Sequence, residues 1–262
     1  MVGMSSEPFY HVRVREGEVG RFALLPGDPA RVKVIGEYLK DSRIIASNRE
    51  FVVLNGYLDD ELVTVCSTGI GGPSAAIAVE ELSRAGVKTM IRVGTCGSIQ
   101  REVKVGDLVV ATAAVRLDGV TKQYVMPEYP AVATPQVVYA LARAAKELGF
   151  RFHIGICAST DAFYVGQGRH GFQGFRTPES RSISSLMRRL RVLCFEMEAS
   201  TIFTLANLYG LRAGAVFVAI PARASDPDRP SQEQKVSKTA VEALRIIMMW
   251  DREAEGDVWV PK

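Results

Sequence analysis

Short runs that are apolar at nearly every position alternate along the chain with longer segments in which apolar residues recur every three or four positions. Phe22–Leu25, Leu62–Cys66, Met90–Val93, Leu108–Ala113, Ile154–Ala158, Val192–Phe195 and Gly214–Ile220 read as strands. Their continuous apolarity predicts strands covered on both faces. The intervening helices carry start and stop signals. Asp28-Pro29 reads as an N-cap followed by the first helical residue, with Val32, Ile35 and Leu39 at helical spacing behind it. Thr134-Pro135 repeats the device, with Val138, Leu141, Ala145 and Leu148 on one face before Gly149 stops it. Gly72-Pro73 opens a helix through Ala85 that Gly86 closes, and a further helix runs from Glu198 to Tyr209, ended by Gly210. The last spans about Ser231 to Trp250, leaving Asp251–Lys262 as a peripheral, surface-lying tail. This alternation, without a Pro/Gly/Ser-rich linker, predicts one α/β domain over residues 1–262. The polar segment Gly166–Leu190 is the exception: either a long functional loop or a stretch holding its own short helix.

Composition narrows the function classes. In a chain of 262 residues, 47% hydrophobic and 23% charged, the net charge of +3 calls for neither a nucleic-acid nor a membrane partner. The run Arg188-Arg189-Leu190-Arg191 reads as a solvated helix end. Cys66, Cys96, Cys157 and Cys194 lie in apolar runs without CxxC spacing, so they are expected to be buried free thiols rather than metal ligands. No apolar run reaches the ~18 residues of a membrane span, and Met1–Arg15 lacks a signal-peptide core. The expected location is the cytoplasm.

The polar residues that break this pattern cluster at the ends of the apolar runs. Pro26-Gly27-Asp28-Pro29-Ala30-Arg31, Ser47-Asn48-Arg49-Glu50 and Ile91-Arg92-Val93-Gly94-Thr95 each set an arginine beside a turn or strand end. Arginines from separate segments suit a tetrahedral oxyanion, because the guanidinium fork donates paired hydrogen bonds and keeps its charge. Arg92 falls inside a core strand, where a charge needs a partner: either a ligand or a buried glutamate. Phe195-Glu196-Met197-Glu198 places carboxylates two residues apart where a strand meets a helix, an arrangement suited to sugar hydroxyls. Cys66 through Ser74 is glycine-rich but is neither GxGxxG nor a Walker sequence, which excludes dinucleotide and P-loop readings.

Taken together with Val115-Arg116-Leu117-Asp118-Gly119 and Phe163-Tyr164-Val165-Gly166-Gln167, these strings resemble the nucleoside phosphorylase-I family, most closely its uridine phosphorylase branch. The resemblance runs from about Pro8 to about Trp250. It implies a central mixed, partly barrel-like β-sheet flanked by helices. It further implies that Gly27, Arg31, Arg49, Arg92 and Thr95 bind phosphate, and that His11, Glu196, Met197 and Glu198 hold the ribose. Phe163, Gln167, Arg169 and Arg223 would meet the base; Arg92, Glu198, Arg169 and Arg223 would carry catalysis. Arg49 and His11 would come from a neighbouring subunit of a dimer, with dimers building a hexamer. Phosphate would be a co-substrate with no cofactor required, although some relatives carry potassium at the dimer interface, at positions matched by Glu50 and the carbonyls of Ile70 and Ser74.

The chemistry agrees with these roles. Breaking an N-glycosidic bond develops positive charge at C1′ and negative charge on the departing base, so bound phosphate and base-facing donors both lower the barrier. The Gln167 amide can accept from uracil N3–H while donating to O2, a pairing that cytosine disrupts. The alternatives are a purine phosphorylase, for which Asp226 is the nearest suspect acid but falls about five residues too late, a nucleosidase, which has no need of phosphate arginines, and a non-catalytic nucleoside-binding protein.

Overall fold

Every residue of Phe22–Pro26 is buried, and alternate side chains enter two different cores: Phe22 and Leu24 one, Ala23 and Leu25 the other. That two-sided burial is why the strand-like runs show no polar alternation. The structure, a computed structural model, describes residues 7–221 and 228–253. Its strands are β1 (Phe22–Pro26), β2 (Lys40–Asn48), β3 (Phe51–Leu58), β4 (Glu61–Cys66), β5 (Thr89–Ser98), β6 (Leu108–Leu117), β7 (Ala131–Val132), β8 (Phe152–Thr160), β9 (Cys194–Glu196) and β10 (Arg212–Ala219). The helices are α1 (Pro29–Gly36), α2 (Gly72–Ala85), α3 (Thr121–Tyr124), α4 (Pro135–Glu147), α5 (Pro178–Arg189), α6 (Ala199–Leu208) and α7 (Arg229–Glu253). Side chains of α1, α4 and α7 fill one core, and those of α2 and α6 fill the other.

The strands form one mixed sheet in the order β10-β6-β8-β9-β5-β1-β4-β3-β2, and β10 also pairs with β5. The strands β10, β6, β8, β9 and β5 therefore close into a ring, from which β1, β4, β3 and β2 extend. This is the single α/β domain with a partly barrel-like sheet that the sequence resemblance implies. β5 is the junction. It runs parallel to β1 over Thr89–Val93 and to β10 over Thr89–Cys96, then meets β9 antiparallel at Gly97 and Ser98. Because β1 ends at Pro26, opposite Val93, while β9 joins only at Gly97, a crevice opens beside the carboxyl end of β5. Ligands of open α/β sheets bind at such divergence points.

The punctuation signals hold with two exceptions. Asp28 caps α1, its Oδ1 accepting from Ala30 N at 2.9 Å, and Gly86 closes α2 with φ 123°. Thr134 does not cap α4 with its side chain; its hydroxyl instead accepts from Ala213 N at 2.9 Å, tying the helix start to β10. The last helix also runs past Trp250, and of the residues read as a surface-lying tail, 254–262 lie outside the described residues. α7 continues to Glu253, and Asp251 makes a two-pronged ion pair with Arg212 at 2.6 and 2.7 Å. The segment Gly166–Leu190 contains α5, closed at its start by a reciprocal Thr177–Ser180 capping box. The hairpin β2–β3, absent from the sequence reading, is polar and largely exposed on its β2 side. All four cysteines are buried and free. Among the described residues, no helix is long and apolar enough to cross a membrane.

Residues 9–14 are anchored to α2 by one buried carboxylate. Glu81 accepts from His11 N at 3.1 Å and Val12 N at 2.6 Å, and its Oε1 lies 2.9 Å from His11 Nδ1. Glu81→Ala leaves these donors without an acceptor. It is expected to cost about 1–3 kcal/mol in urea unfolding and to strip the His11 and Val12 amides of hydrogen-exchange protection.

Candidate active site

Arg92 lies in the middle of β5, in register with Leu25 on β1 and Ala215 on β10, and its side chain is 6% exposed. A guanidinium there requires partners. Nη2 donates to Glu198 Oε2 at 2.6 Å, and Nη1 donates to Thr68 Oγ1 at 2.7 Å. Glu198 Oε1 in turn accepts from Gly71 N at 2.6 Å. Both readings of Arg92 therefore meet in one place, because the ion pair forms part of the wall of a cavity of about 840 Å³. Gly27 is required beside it: a Cβ there would stand 2.9 Å from Arg92 Nη2.

Around the pair, the β1–α1 turn contributes Gly27 and Arg31, and the end of β5 contributes Thr95, Cys96 and Gly97. Arg31 is 4% exposed; Nη2 donates to Glu233 Oε1 at 2.8 Å and Nη1 to Val93 O at 3.3 Å. Glu233 also holds Arg229, which lines the same cavity. The Nε atoms of Arg31 and Arg92 are buried without a partner among the described residues. An orphaned buried donor costs about 1–3 kcal/mol, so both arginines are held here at a cost to stability.

The strand-to-helix corner at β9 and α6 contributes Phe195, Glu196, Met197 and Glu198. Glu196 is 4% exposed, and its Oε2 accepts from Glu198 N and Ala199 N, each at 2.8 Å, at the start of α6. Burial, and then the neighbouring Glu198 charge, push its carboxyl up to about 7. A carboxyl poised there is half protonated near neutrality, so its capacity to accept from hydroxyls rises with pH.

The segment between β8 and α5 supplies the remaining wall. Gln167 sits in a 3-10 turn, Val165–Gln167, with Nε2 donating to Thr160 Oγ1 at 3.2 Å and Oε1 accepting from Arg169 Nη2 at 3.4 Å. The Arg169 guanidinium lies 4.2 Å from the centre of the Phe163 ring and against Gly97, where a Cβ would come within 3.1 Å of it. Desolvation pulls the Arg169 pKa down. Each side of the Gln167 amide keeps capacity for one more hydrogen bond, an acceptor and a donor side by side.

Thus Gly27, Arg31, Arg92, Thr95, Phe163, Gln167, Arg169, Glu196, Met197 and Glu198 converge on one cavity, as do Glu50 and Ile70. Arg49, exposed at the β2–β3 turn with φ 53°, and His11, held by Glu81, do not line it. Arg223 and Asp226 lie outside the described residues. Sequence reasoning missed Ser159, Arg229 and Glu233. The polar end of an otherwise apolar strand, Ser159-Thr160-Asp161, was a usable signal for the first; the other two sit on a helix face with no distinguishing pattern.

Residues 21–249 match the phosphorylase superfamily, and the chain belongs to it. It is 48% identical over 255 residues to the uridine phosphorylase of Thermococcus kodakarensis, covering 96% of this chain and 92% of that relative. Identity to the uridine phosphorylase of Escherichia coli is 39% over 253 residues, covering 94% of this chain and 100% of the relative. A guanosine phosphorylase of Halorubrum lacusprofundi is 41% identical over 251 residues, covering 94% and 98%.

Glu198→Gln leaves Arg92 buried without its counter-charge. The expected loss is about 3–5 kcal/mol in urea unfolding, whereas Thr68→Ala, which removes a neutral acceptor, is expected to cost about 1 kcal/mol.

Proposed function

We propose that this chain catalyses the reversible phosphorolysis of uridine to uracil and ribose 1-phosphate. The observation that carries the reading is the single cavity that sets buried arginines, paired carboxylates and the Gln167–Arg169–Phe163 group against one another. Similarity to uridine phosphorylases over nearly the whole chain supports it. Phosphate would lie against the Gly27 turn, Arg31, Arg92 and Thr95, with Arg49 supplied by a second copy. Glu198 would take the ribose 2′ and 3′ hydroxyls, helped by Glu196, Met197 and a second copy's His11. Held beside C1′, the phosphate dianion stabilises the oxocarbenium-like transition state and then bonds to it as the C1′–N1 bond breaks. The electron pair leaves with uracil, whose developing charge is met by Gln167 and Arg169, with Arg223 as a further candidate.

The wider setting follows from the same reading. Arg49 and His11 do not line the cavity of their own chain, although both lie close enough to act on Glu50 in its wall, which fits a dimer that shares sites, and dimers of this kind would build a hexamer. Glu50 offers a carboxylate held low by its own amide and then by Ser74, whose hydroxyl donates to it at 2.8 Å. With the carbonyls of Ile70 and Ser74 it would make an all-oxygen set of the kind a hard monovalent cation such as potassium takes. Buried free thiols suit a reducing cytoplasm.

A second reading rests on the guanosine phosphorylase at 41% identity: the same cavity would accept purine nucleosides. Base release from uridine, thymidine, cytidine, inosine and guanosine, each with and without phosphate, decides between them. Uracil release that requires phosphate is expected. Faster purine release moves the specificity to the second reading, and release undiminished without phosphate means hydrolysis. Arg169→Ala is expected to lower kcat for uridine about 10²–10³-fold, checked by initial rates at saturating uridine and phosphate.

A further inference from the structure

The string Val115–Gly119 belongs to the sequence resemblance, yet no residue of it lines the cavity. Asp118 within it is 1% exposed and takes no part in the chemistry described above. Its carboxylate accepts from Thr121 N at 2.7 Å and Thr121 Oγ1 at 3.0 Å, and from Ser200 Oγ at 2.7 Å. Ser200 N donates to Ser159 Oγ at 2.8 Å, and Ser159 Oγ donates in turn to Glu196 Oε1. Ser159 and Ser200 are both fully buried. A continuous dry path of hydrogen bonds therefore runs from Asp118 to a carboxylate of the cavity wall.

With Glu196 ionised, the direction of each bond is fixed. An amide can only donate, so Ser159 must accept from Ser200 N, which leaves its one proton for Glu196. Asp118 holds Ser200, the second residue of α6, and so fixes where that amide points. Glu198 N, Ala199 N and Ser200 N are among the helix-start donors that have no partner within a helix. Glu196 accepts from the first two and Ser159 from the third, so the cap of α6 and the orientation of Glu196 are one structure.

We infer that Ser159, aligned by Ser200 and Asp118, is a positioning residue that favours the ionised form of Glu196 and holds it facing the sugar. The sugar-facing role of Glu196 rests on the phosphorolysis reading above; the wiring of Ser159 does not. Glu196 faces Glu198 across the α6 corner and Cys157 Sγ on β8 at 3.9 Å. Cys194 on β9 also feels its charge, and the Arg92 guanidinium is committed to Glu198. Two of these side chains donate to Glu196 Oε1: the Ser159 hydroxyl and, through a longer and weaker contact of 3.9 Å, the Cys157 thiol. Loss of the Ser159 donor favours the protonated form, and the sign follows: the ionisation midpoint moves up, and sugar binding at low pH weakens.

The test uses the full-length protein and Ser159→Ala, with two readouts. Infrared spectroscopy follows the protonated carboxyl band that disappears in Glu196→Gln, and calorimetry follows uridine affinity against pH without phosphate, whose own titration would intrude. In Ser159→Ala the Glu196 midpoint is expected to rise by about one pH unit, the scale of one hydrogen bond to a charged group. Uridine affinity should fall about tenfold at pH 6 and recover towards that of the unaltered protein by pH 9. A merely structural role would weaken binding equally at every pH. Ser200→Ala, which keeps its amide but releases Asp118, should move both readouts in the same direction by less. An unmoved infrared midpoint in Ser159→Ala overturns the proposal, as does uridine affinity that falls by the same factor at all pH values. If the unaltered protein neither binds nor cleaves uridine while the midpoint still shifts, the phosphorolysis reading fails and the wiring stands.

Discussion

The buried ion pair between Arg92 and Glu198 is the interaction around which the site is arranged. An arginine in the middle of a strand, between two other strands, is costly to desolvate, and a buried pair repays that cost only when its remaining donors and acceptors are met. Here all but Arg92 Nε are met, from separate parts of the chain: Thr68 from the loop after β4, Gly71 from the start of α2, and the carboxylate from the start of α6. Apolar residues of equal volume would serve stability about as well. The charge is therefore best explained by what enters the cavity, and the pair brings four segments into contact at the point where β1 and β9 part from β5.

That divergence is a consequence of sheet closure. Because β10 pairs on both sides, with β6 and with β5, the ring is complete, and the corner at β9 must turn inward to meet the end of β5. The turn delivers Glu196 and Glu198 to the cavity and starts α6 in the same few residues. Carboxylate placement and helix capping are thus coupled: Glu196 satisfies backbone donors that the helix would otherwise leave open while it lines the binding space.

Much of this was legible in the sequence, and for physical reasons. β1, β5 and β10 were visible because strands buried on both faces are apolar at every position, and Arg92 stood out because it violates that rule. Asp28 and Gly86 mark helix ends because a side-chain cap and a positive φ have few substitutes. β2 was not legible. Its residues Lys40–Asn48 are mostly exposed, so nothing in their polarity distinguishes strand from loop. Thr134 was read as a cap because Thr-Pro ordinarily is one, but the amide of Ala213, distant in sequence, takes its hydroxyl. Ser159 and Asp118 were hidden for the same reason: their meaning lies in partners that only the fold brings near.

A sheet that closes on one side and ends on the other has a single long margin to defend. Among the described residues the ring is closed by short strands, β9 and the two-residue β7, and the opposite path ends at β2. An unpaired margin is a template on which another chain can polymerise. β2 breaks register with β3 between Lys40 and Arg43 and again between Ile44 and Ala46, and its early positions are exposed and charged. A strand so kinked and so hydrated is a poor template. The same hydration that concealed β2 in the sequence, with the register breaks beside it, works against growth from edge to edge.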